Sequence, residues 1–423
     1  MNYPDSVRFL YSLGNEVKTA KYGLERIRTL LDALGNPERL RRIVHVAGTN
    51  GKGSTCAMIE SGLRAAGLGT GLFTSPHLVE PTERVRINGS PVSGEEFSTA
   101  FDHVHACAEQ LLDQGAIDFH PTYFETVTAM AFVLFQQKRT EAVVLEVGLG
   151  GRLDATNVVD PELCVITPVD FDHEALLGKS LEAIAREKAG ILKPGVPAVF
   201  ASQRPEAQAA LDQRVAELGI EVVRTPQVWR VENVSYTARG SSFVARATLP
   251  IHIECPLAGT HQAANAVVAL AALNKLGVSA SPIEKGIAAT RWPGRLDRVS
   301  VSPEIILDGA HNPAGARALA DYIRQFYPGR DIVMIYGAMR DKAVAEMAGS
   351  LFALAGEVIA TAPHQARAVD PETICALAEH PRVRTAPDLA AALQIARADS
   401  TDRVIFVTGS LFLVGEALAL LNG

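Results

Sequence analysis

The sequence has 423 residues, 48% of them hydrophobic and 21% charged, with 40 basic and 47 acidic side chains. This length predicts two domains, and the composition is typical of a globular protein with a sizeable core. The net charge of −7 argues against a nucleic-acid-binding surface as the main function, although a local basic site for an anion remains compatible with it.

The cysteines and the N-terminus carry no signal for export. The five cysteines, with no C-x-x-C pair among them, indicate reduced core residues rather than disulfides or a cysteine zinc site. The N-terminus has no basic segment followed by a long apolar run, and no stretch reaches the roughly 18 apolar residues of a membrane span. We therefore expect a cytoplasmic protein that binds neither membranes nor nucleic acid.

From residue 42 onward, segments with strand and helix patterns alternate, which predicts a parallel sheet covered by helices on both faces. Residues 3–41 are predicted to be helical. The strands predicted next are 42–47, 72–74, 142–147, 164–169 and 198–200, and the helices are 54–66, 93–114, 122–137, 181–189 and 206–218. Alternating valines and polar residues over 227–253 predict antiparallel strands, followed by helices 261–276 and 282–289.

The breaker-rich stretch 291–295 marks the predicted domain boundary. A second αβ series follows it, with strands 304–307, 331–336, 357–360 and 403–407, and helices 313–326, 344–354, 371–378, 389–398 and 411–421. The predicted fold class is α/β. It comprises a parallel-sheet P-loop domain over 1–294 with a small antiparallel addition, and a Rossmann-like domain of four or five strands over 295–423.

A glycine-rich loop follows the first strand and precedes a helix, and its residues are Gly48, Thr49, Asn50, Gly51, Lys52, Gly53 and Ser54. Glycines let backbone N–H groups turn inward, the helix N-terminus attracts anions, and Lys52 adds a full positive charge. The pattern is not a strict Walker A motif, because Gly53 replaces the Ser or Thr that normally follows the lysine. We interpret the loop as a phosphate site; a glycine turn without a ligand is the alternative.

Polar side chains follow the ends of the neighbouring strands, where α/β sheets bind ligands. Ser75 follows strand 72–74, Glu146 lies near the end of strand 142–147, and His173 follows strand 164–169. If these strands are neighbours, the three side chains converge beside Lys52, where they would suit Mg²⁺ with triphosphate oxygens. Ser75 could then replace the missing Walker hydroxyl. The alternative for His173 is a loop histidine that caps a turn.

The second domain repeats this arrangement. Asp308 and His311 follow strand 304–307, and Ser410 follows strand 403–407, so we expect all three to face an interdomain cleft. Arg295 can reach the same cleft, where its guanidinium would suit a phosphate. Lys188, at the end of a helix, by itself indicates only a cation that complements the helix dipole.

Nine motifs, in this order, resemble those of the folylpolyglutamate synthase/dihydrofolate synthase family, which is related to the Mur peptidoglycan ligases. In chain order they are G-T-N-G-K-G-S, S-P-H-L, E-V-G-L-G-G-R-L-D-A-T-N, D-H-x-x-x-L-G, E-K-A-G-I, G-T-H-Q-A-A-N, P-G-R, L-D-G-A-H-N-P and G-S-L. They span about residues 45–415. The resemblance implies ATP-dependent ligation, in which a folate or dihydropteroate carboxylate becomes an acyl phosphate that L-glutamate then attacks.

The resemblance also implies roles for individual residues. The loop residues Gly51, Lys52 and Ser54 would hold ATP phosphates, and Ser75, Glu146 and His173 would bind Mg²⁺. Lys188 matches the family's carbamylated lysine, whose CO₂-derived carbamate could bind a second Mg²⁺; this replaces the helix-terminus interpretation. The remaining matches are Asn265, Arg295 and Asp308 as nucleotide contacts, His311 and Ser410 near glutamate, and Thr122, Tyr123 and Phe124 in the pterin pocket. For the last group, a helix start that feeds the core is an equal alternative.

Several alternatives stay open at the level of sequence. Within the family, the chain could be a dihydrofolate synthase, a folylpolyglutamate synthase or both, and the bifunctional enzyme is our interpretation. A Mur ligase acting on a UDP-sugar peptide is less favoured, because the loop begins too early for a preceding UDP-binding domain and reads G-K-G-S. A nucleotide-dependent switch protein is the third alternative. We expect a monomer.

Overall fold

The chain folds into two units that each draw on several stretches of sequence. In this computed structural model, the described residues are 1–13, 23–377, 379–398 and 402–422. The first unit comprises Met1–Val169, Ser180–Arg230 and Asn265–Ala289, and the second comprises Asp170–Lys179, Val231–Ala264 and Thr290–Gly423.

The first unit is built on a sheet with eight described strands. These are β1 (Ile43–Ala47), β2 (Thr70–Phe73), β3 (Val85–Ile87), β4 (Ser90–Pro91), β5 (Ala142–Glu146), β6 (Leu163–Ile166), β7 (Ala198–Phe200) and β8 (Val222–Arg224). Their order is β4-β3-β2-β5-β1-β6-β7-β8. The strands β2, β5, β1, β6, β7 and β8 run parallel, whereas β3 and β4 add an antiparallel edge.

Helices connect these strands and cover the sheet. They are α1 (Tyr3–Ser12), α2 (Glu25–Ala33), α3 (Lys52–Ala65), α4 (Gly94–Asp113), α5 (Tyr123–Gln137), α6 (Glu174–Leu177), α7 (Leu181–Ala189), α8 (Pro205–Leu218), α9 (Thr225–Val228), α10 (Thr260–Lys275) and α11 (Ala280–Ala289). Helix α6 belongs to the second unit, and α10 begins in the second unit and continues into the first.

The central strands are buried on both faces. Side chains on one face, including Phe73, Val143 and Leu145, join a hydrophobic cluster with α1, α2, α4 and α5. The alternate residues of the same strands point to the opposite face, where α3 contacts β2 and β5 and also packs on α11. This two-sided burial explains the uninterrupted apolar pattern of β5 up to Glu146.

The second unit contains two sheets. A three-stranded antiparallel sheet consists of β9 (Arg230–Thr237), β10 (Gly240–Arg246) and β11 (Pro250–Cys255), although Arg230 itself is assigned to the first unit. The other sheet has the described strands β12 (Asp297–Val301), β13 (Glu304–Leu307), β14 (Ile332–Tyr336), β15 (Glu357–Ala360), β16 (Val383–Thr385) and β17 (Val404–Thr408). Its order is β12-β13-β17-β14-β15-β16, with only β12 antiparallel. The flanking helices are α12 (Pro313–Phe326), α13 (Val344–Leu351), α14 (Pro371–Leu377), α15 (Leu389–Ala398) and α16 (Leu411–Asn422).

The predicted fold class is confirmed: two α/β sheets and a small antiparallel sheet are present. The prediction of four or five strands in the C-terminal part was wrong, because β12 and β16 bring the described total to six. The parallel sheet of the first unit also has an unpredicted antiparallel edge. Of the helical prediction over 3–41, α1 and α2 are observed, and residues 14–22 lie outside the described residues. The last residue of the predicted helix 371–378 also lies outside them.

None of the described helices combines the length and the apolar character needed to cross a membrane.

Candidate functional site

The glycine-rich loop between β1 and α3 is shaped by close backbone packing. Gly51 has a φ of +82°, and a Cβ there would collide with the Asn265 side chain; a Cβ on Gly48 would collide with Thr167. The N–H groups of Thr49 and Asn50 both donate to the Pro168 carbonyl oxygen, at 2.9 and 3.3 Å. The loop therefore requires glycine at both positions, for conformation and for space.

Helix α3 begins directly after this loop, at Lys52. Its N-cap, Gly51, has no side chain to accept the first-turn N–H groups, so the helix N-terminus keeps donors suited to an anion. The Lys52 Nζ donates to the Thr49 carbonyl oxygen at 3.1 Å, which holds the ammonium group over the loop. Asn265, 4% exposed, lies against Gly51 from α10. The loop, the lysine and the predicted nucleotide contact Asn265 thus come together.

Ser75 and Glu146 also meet at this edge of the sheet. Glu146 pairs in register with Val46 of β1, and it is only 4% exposed. Its Oε2 accepts a hydrogen bond from the Ser75 backbone N–H at 3.0 Å. The predicted pair is therefore adjacent, and its hydroxyl and carboxylate oxygens are the donor type that Mg²⁺ prefers. His173, the third predicted ligand, belongs to the second unit.

Lys188 lies at the C-terminal end of α7 with 4% exposure. Its Nζ donates to the Gly48 carbonyl oxygen at 2.7 Å, so it contacts the glycine-rich loop directly. The glycine-rich segment that follows β5, residues 148–151, explains this placement. The Arg152 N–H donates to the Glu187 carbonyl oxygen at 2.9 Å, and a Cβ on Gly151 would lie 2.8 Å from that same oxygen. The glycines after β5 therefore let the end of α7 pack closely and fix Lys188.

In the second unit, a charged cluster forms around Asp172. Its Oδ1 accepts from Lys342 Nζ at 2.6 Å, and its Oδ2 accepts from Asn312 Nδ2 at 3.1 Å. Lys342 Nζ also donates to His173 Nε2 at 3.2 Å, and His311 Nε2 lies 3.6 Å from Asp172 Oδ2. The side chains of Asp172 and Lys342 are 9% and 8% exposed. We define these five residues as the Asp172 cluster.

Charge determines the protonation of this cluster. Burial alone would raise the pKa of Asp172, but the Lys342 charge, with the charges that His311 and His173 carry only when protonated, overcomes burial and holds that pKa well below its usual range. Burial and the Lys342 charge lower the pKa of His311 to about 4, so its imidazole is neutral near pH 7. The His311 Nδ1 lies 2.8 Å from the Gly309 carbonyl oxygen and donates to it as Nδ1–H, which leaves Nε2 with a lone pair.

Sequence reasoning predicted His173 and His311 but assigned no role to Asp172, Asn312 or Lys342. Asp172 and Asn312 stand inside motifs quoted above. Lys342 lies in the segment after β14, so inspecting the residues beyond each buried strand would have included it among the candidates, but without its pairing to Asp172.

Asp308 and Ser410 lie in the same unit and make local contacts. Asp308 Oδ2 accepts from the Leu296 N–H and Oδ1 accepts from the Ala310 N–H, both at 3.0 Å. Burial raises the pKa of Asp308, and the Arg295 charge opposes that rise. Ser410, 1% exposed, accepts from the Phe412 N–H at the start of α16, at 3.2 Å. Asp308 thus holds the segment that carries Arg295.

Of the predicted pterin residues, Tyr123 belongs to an aromatic and cationic cluster. Its ring stacks on Tyr11 with centroids 5.8 Å apart, and Arg84 Cζ lies 5.1 Å from the Tyr123 centroid. Arg84 Nε donates to His77 Nδ1 at 2.8 Å, and His77 Nε2 lies 3.1 Å from the Tyr11 hydroxyl. Burial and the Arg84 charge lower the pKa of His77 to about 3, so its ring is neutral. These side chains offer flat, partly polar surfaces.

Thr122 and Phe124 have mainly structural contacts. Thr122 is the N-cap of α5, and its hydroxyl accepts from the Glu125 N–H at 3.2 Å. The Phe124 ring packs on Phe73, with centroids 5.8 Å apart, and against Gly148. These contacts favour the helix-start alternative for both residues.

Two family descriptions match the chain. Residues 46–273 match "Mur ligase middle domain", and residues 294–411 match "Mur ligase, glutamate ligase domain".

Similar proteins cover nearly the whole chain. A folylpolyglutamate synthase of Lacticaseibacillus casei is 36% identical over 100% of this chain and 99% of its own length. A dihydrofolate synthase/folylpolyglutamate synthase of Bacillus subtilis is 35% identical over 94% of each chain. Among solved structures, the Mycobacterium tuberculosis folylpolyglutamate synthase complexed with ADP and AMPPCP has a TM-score of 0.93 at 32% identity, covering 100% and 99% of the two chains. E. coli FolC in complex with DHPP and ADP has a TM-score of 0.87 at 32% identity, covering 100% and 98%.

Proposed function

The chain belongs to the folylpolyglutamate synthase/dihydrofolate synthase family of Mur ligases, and from this membership we propose that it joins L-glutamate to a folate-type carboxylate with ATP. The observation that carries the proposal is the phosphate loop at Gly48–Ser54, which Lys188 contacts directly and which adjoins Ser75 and Glu146. The names of the relatives cover both family activities, and we propose that this chain has both.

The ligation needs two displacements. A carboxylate oxygen of the folate-type acid attacks the γ-phosphorus of ATP, and ADP leaves. The amino group of glutamate then attacks the acyl-phosphate carbonyl, the C–O bond to phosphate breaks, and the amine loses a proton. The protein contributes positioning and charge neutralisation, and the first-turn N–H groups of α3 and the Lys52 ammonium group are the proposed phosphate contacts.

We propose that Ser75, Glu146, His173 and Lys188 are the metal ligands for one or two Mg²⁺ ions. The buried Glu146 carboxylate beside Ser75 supplies oxygen donors of the right chemistry. An unmodified lysine ammonium group is positively charged and cannot bind a cation, whereas a carbamate formed from Lys188 and CO₂ would carry the required negative charge. Bound Mg²⁺ would neutralise the phosphate charge.

For the second displacement, we propose that the Asp172 cluster helps to recognise glutamate. Lys342 and the neutral His311 could meet a carboxylate and an ammonium group; Asp172 orients Lys342, and the Gly309 carbonyl oxygen orients His311. Ser410 is proposed near the same substrate, and Asn265, Arg295 and Asp308 are proposed near the nucleotide. Tyr123 is proposed near the pterin, whereas Thr122 and Phe124 hold the start of α5, which carries Tyr123. The proposed domains are residues 1–294 and 295–423. We also propose that the protein is a cytoplasmic monomer.

The decisive experiment measures ADP release with ATP, Mg²⁺, an acceptor acid and L-glutamate, with each omitted in turn. We expect release only when acid and glutamate are both present, and a product one glutamyl residue heavier by mass spectrometry. No release with either dihydropteroate or tetrahydrofolate would refute the proposal. Labelled glutamate entering only one of these two acceptors would reduce it to a monofunctional enzyme.

A further inference from the structure

A group of two histidines and one glutamate lies in the first unit, away from the phosphate loop in sequence. We propose that His105, Glu109 and His120 form a binding site for a divalent transition-metal ion such as Zn²⁺. His105 and Glu109 lie four residues apart on α4, so they share one helix face, and His120 comes from the segment before α5.

The separations between donor atoms suit such an ion. His105 Nδ1 lies 3.1 Å from His120 Nε2, and Glu109 Oε1 lies 3.8 Å from the first nitrogen and 3.9 Å from the second. Tetrahedral zinc with bonds of about 2.0–2.1 Å places its ligands about 3.3 Å apart. The three atoms therefore need shifts of only a few tenths of an ångström to surround one ion.

The orientation of His120 is already that of a metal ligand. Its Nδ1 lies 2.9 Å from the Pro121 carbonyl oxygen, which can only accept, so the Nδ1 carries the proton. The neutral ring then presents the lone pair of Nε2, which accepts a hydrogen bond from His105 Nδ1–H. An ion that binds both nitrogens would replace this hydrogen bond, and the His105 proton would move to its Nε2. Metal-bound histidines commonly donate their other N–H to a carbonyl in this way, which fixes the ring and its tautomer.

The surroundings of the site hold the imidazoles and leave a route for entry. The His105 ring stacks on Phe101 with centroids 5.3 Å apart, and Phe9 of α1 lies 4.5 Å from His105 and 5.6 Å from His120. The side chains of His105 and His120 are 18% and 14% exposed, whereas that of Glu109 is 52% exposed. An ion can therefore reach the site past Glu109.

The donor set selects the type of ion and the consequence of binding. Two imidazoles and one carboxylate suit Zn²⁺, Co²⁺ or Ni²⁺, whereas Mg²⁺ prefers oxygen ligands. An ion here would join α4 to His120, two residues before the α5 N-cap Thr122. It would therefore stabilise the start of α5.

The test is a Co²⁺ titration of the untagged full-length protein in excess Mg²⁺, followed by visible absorption. We expect the wild type to bind one equivalent of Co²⁺. The Co²⁺ affinity of His105→Ala and of His120→Ala should be at least tenfold lower. His103→Ala, an exposed histidine on the same helix, should bind as the wild type does. Zn²⁺ should raise the melting temperature of the wild type and of His103→Ala only.

The proposal would be overturned if the wild type and both site variants had equal Co²⁺ affinity. It would also be overturned if His103→Ala lost as much Co²⁺ affinity as the two site variants. If a histidine variant does not fold, as judged by circular dichroism, Glu109→Ala takes its place. The half-exposed Glu109 can be shortened without opening the core, and the same tenfold loss is expected. Unchanged affinity in Glu109→Ala would count against the site.

Discussion

Lys342 has the most consequential contacts of any residue that sequence reasoning missed. Its ammonium group donates to Asp172 and His173, and its side chain is 8% exposed. Removing one partner of a buried ion pair leaves the other charge uncompensated, which costs about 3–5 kcal/mol. Asp172 would therefore lose its fixed position.

We predict that Lys342→Met lowers kcat/KM for glutamate about 100-fold, equivalent to roughly 2.7 kcal/mol. The measurement is glutamate saturation kinetics at saturating ATP and acceptor acid. Lys285→Met, at an exposed position of α11, is the matched control and should retain wild-type kinetics. A Lys342→Met enzyme within threefold of the wild type would show that the Asp172 cluster does not serve glutamate.

Lys188 gives a second prediction that concerns a single residue. If the lysine works as a carbamate, depletion of CO₂ should lower wild-type activity and added bicarbonate should restore it. Lys188→Ala should lose about 100-fold in activity, because a ligand and its charge are removed, and should not respond to bicarbonate. Activity assayed in degassed buffer with and without bicarbonate checks this. Unchanged activity and bicarbonate dependence in the variant would exclude the carbamate.

The candidate residues differ in how far the sequence could predict them. Ser75 and Glu146 could be placed together because neighbouring parallel strands end at one edge of the sheet. The contact of Lys188 with Gly48 could not, because it depends on how α7 packs against the glycines after β5. Lys342 stands in no motif that we recognised, and only the folded chain reveals its pairing with Asp172.

At the scale of elements, α3 and α11 pack at a glycine–glycine contact. A Cβ on Gly286 would overlap the backbone of Gly62, and the Ser61 hydroxyl donates to the Gly286 carbonyl oxygen at 2.7 Å. The two helices therefore approach too closely for any side chain at this point. Since α3 begins directly after the glycine-rich loop, its packing also supports the loop.

We predict that Gly286→Ala destabilises the protein by about 1–3 kcal/mol, because the helices must separate. Gly349→Ala is the matched control. That glycine lies inside α13, exposed, with space for a Cβ, so alanine should stabilise the protein by up to about 1 kcal/mol. Urea unfolding of both variants measures the difference. Equal stability of Gly286→Ala and the wild type would show that the contact is loose.

Elements with a clear pattern of hydrophobic residues were predictable from the sequence, and short edge strands were not. The boundaries of α7, β7 and α12 agree with the prediction because burial gives them clear apolar patterns. The strands β3, β4 and β16 have two or three residues each and are partly exposed, so their patterns are too short to detect. They form by pairing with a neighbour that the local sequence does not specify.

For the molecule as a whole, buried neutral histidines predict how stability depends on pH. Burial lowers the pKa of His45 to about 3, and burial and the Arg295 charge lower that of His261 to about 4. The unfolded chain binds a proton at each near pH 6.5, so between about pH 6.5 and 4 it binds more protons than the folded chain. Stability should therefore fall on acidification, by up to about 1.4 kcal/mol per pH unit for each group.

Urea unfolding at pH 7, 6 and 5 tests this expectation. The midpoint should fall steadily below pH 6.5, and the fall should be smaller in His45→Gln, which removes one such group. His103→Gln, exposed on α4, should keep the wild-type slope. A midpoint that is constant from pH 7 to 5 would contradict the prediction.

The interleaving of the two units has a consequence for how this gene can recombine. Asp172 is encoded well before residue 295 and Lys342 well after it, yet their side chains form one ion pair in one unit. In a chimera that joins residues 1–294 of this chain to the C-terminal segment of a relative, Asp172 would come from this chain and its partner residue from the relative. Such an exchange preserves the pair only when the donor segment supplies an ammonium group at the same place, so the two segments are expected to be inherited together.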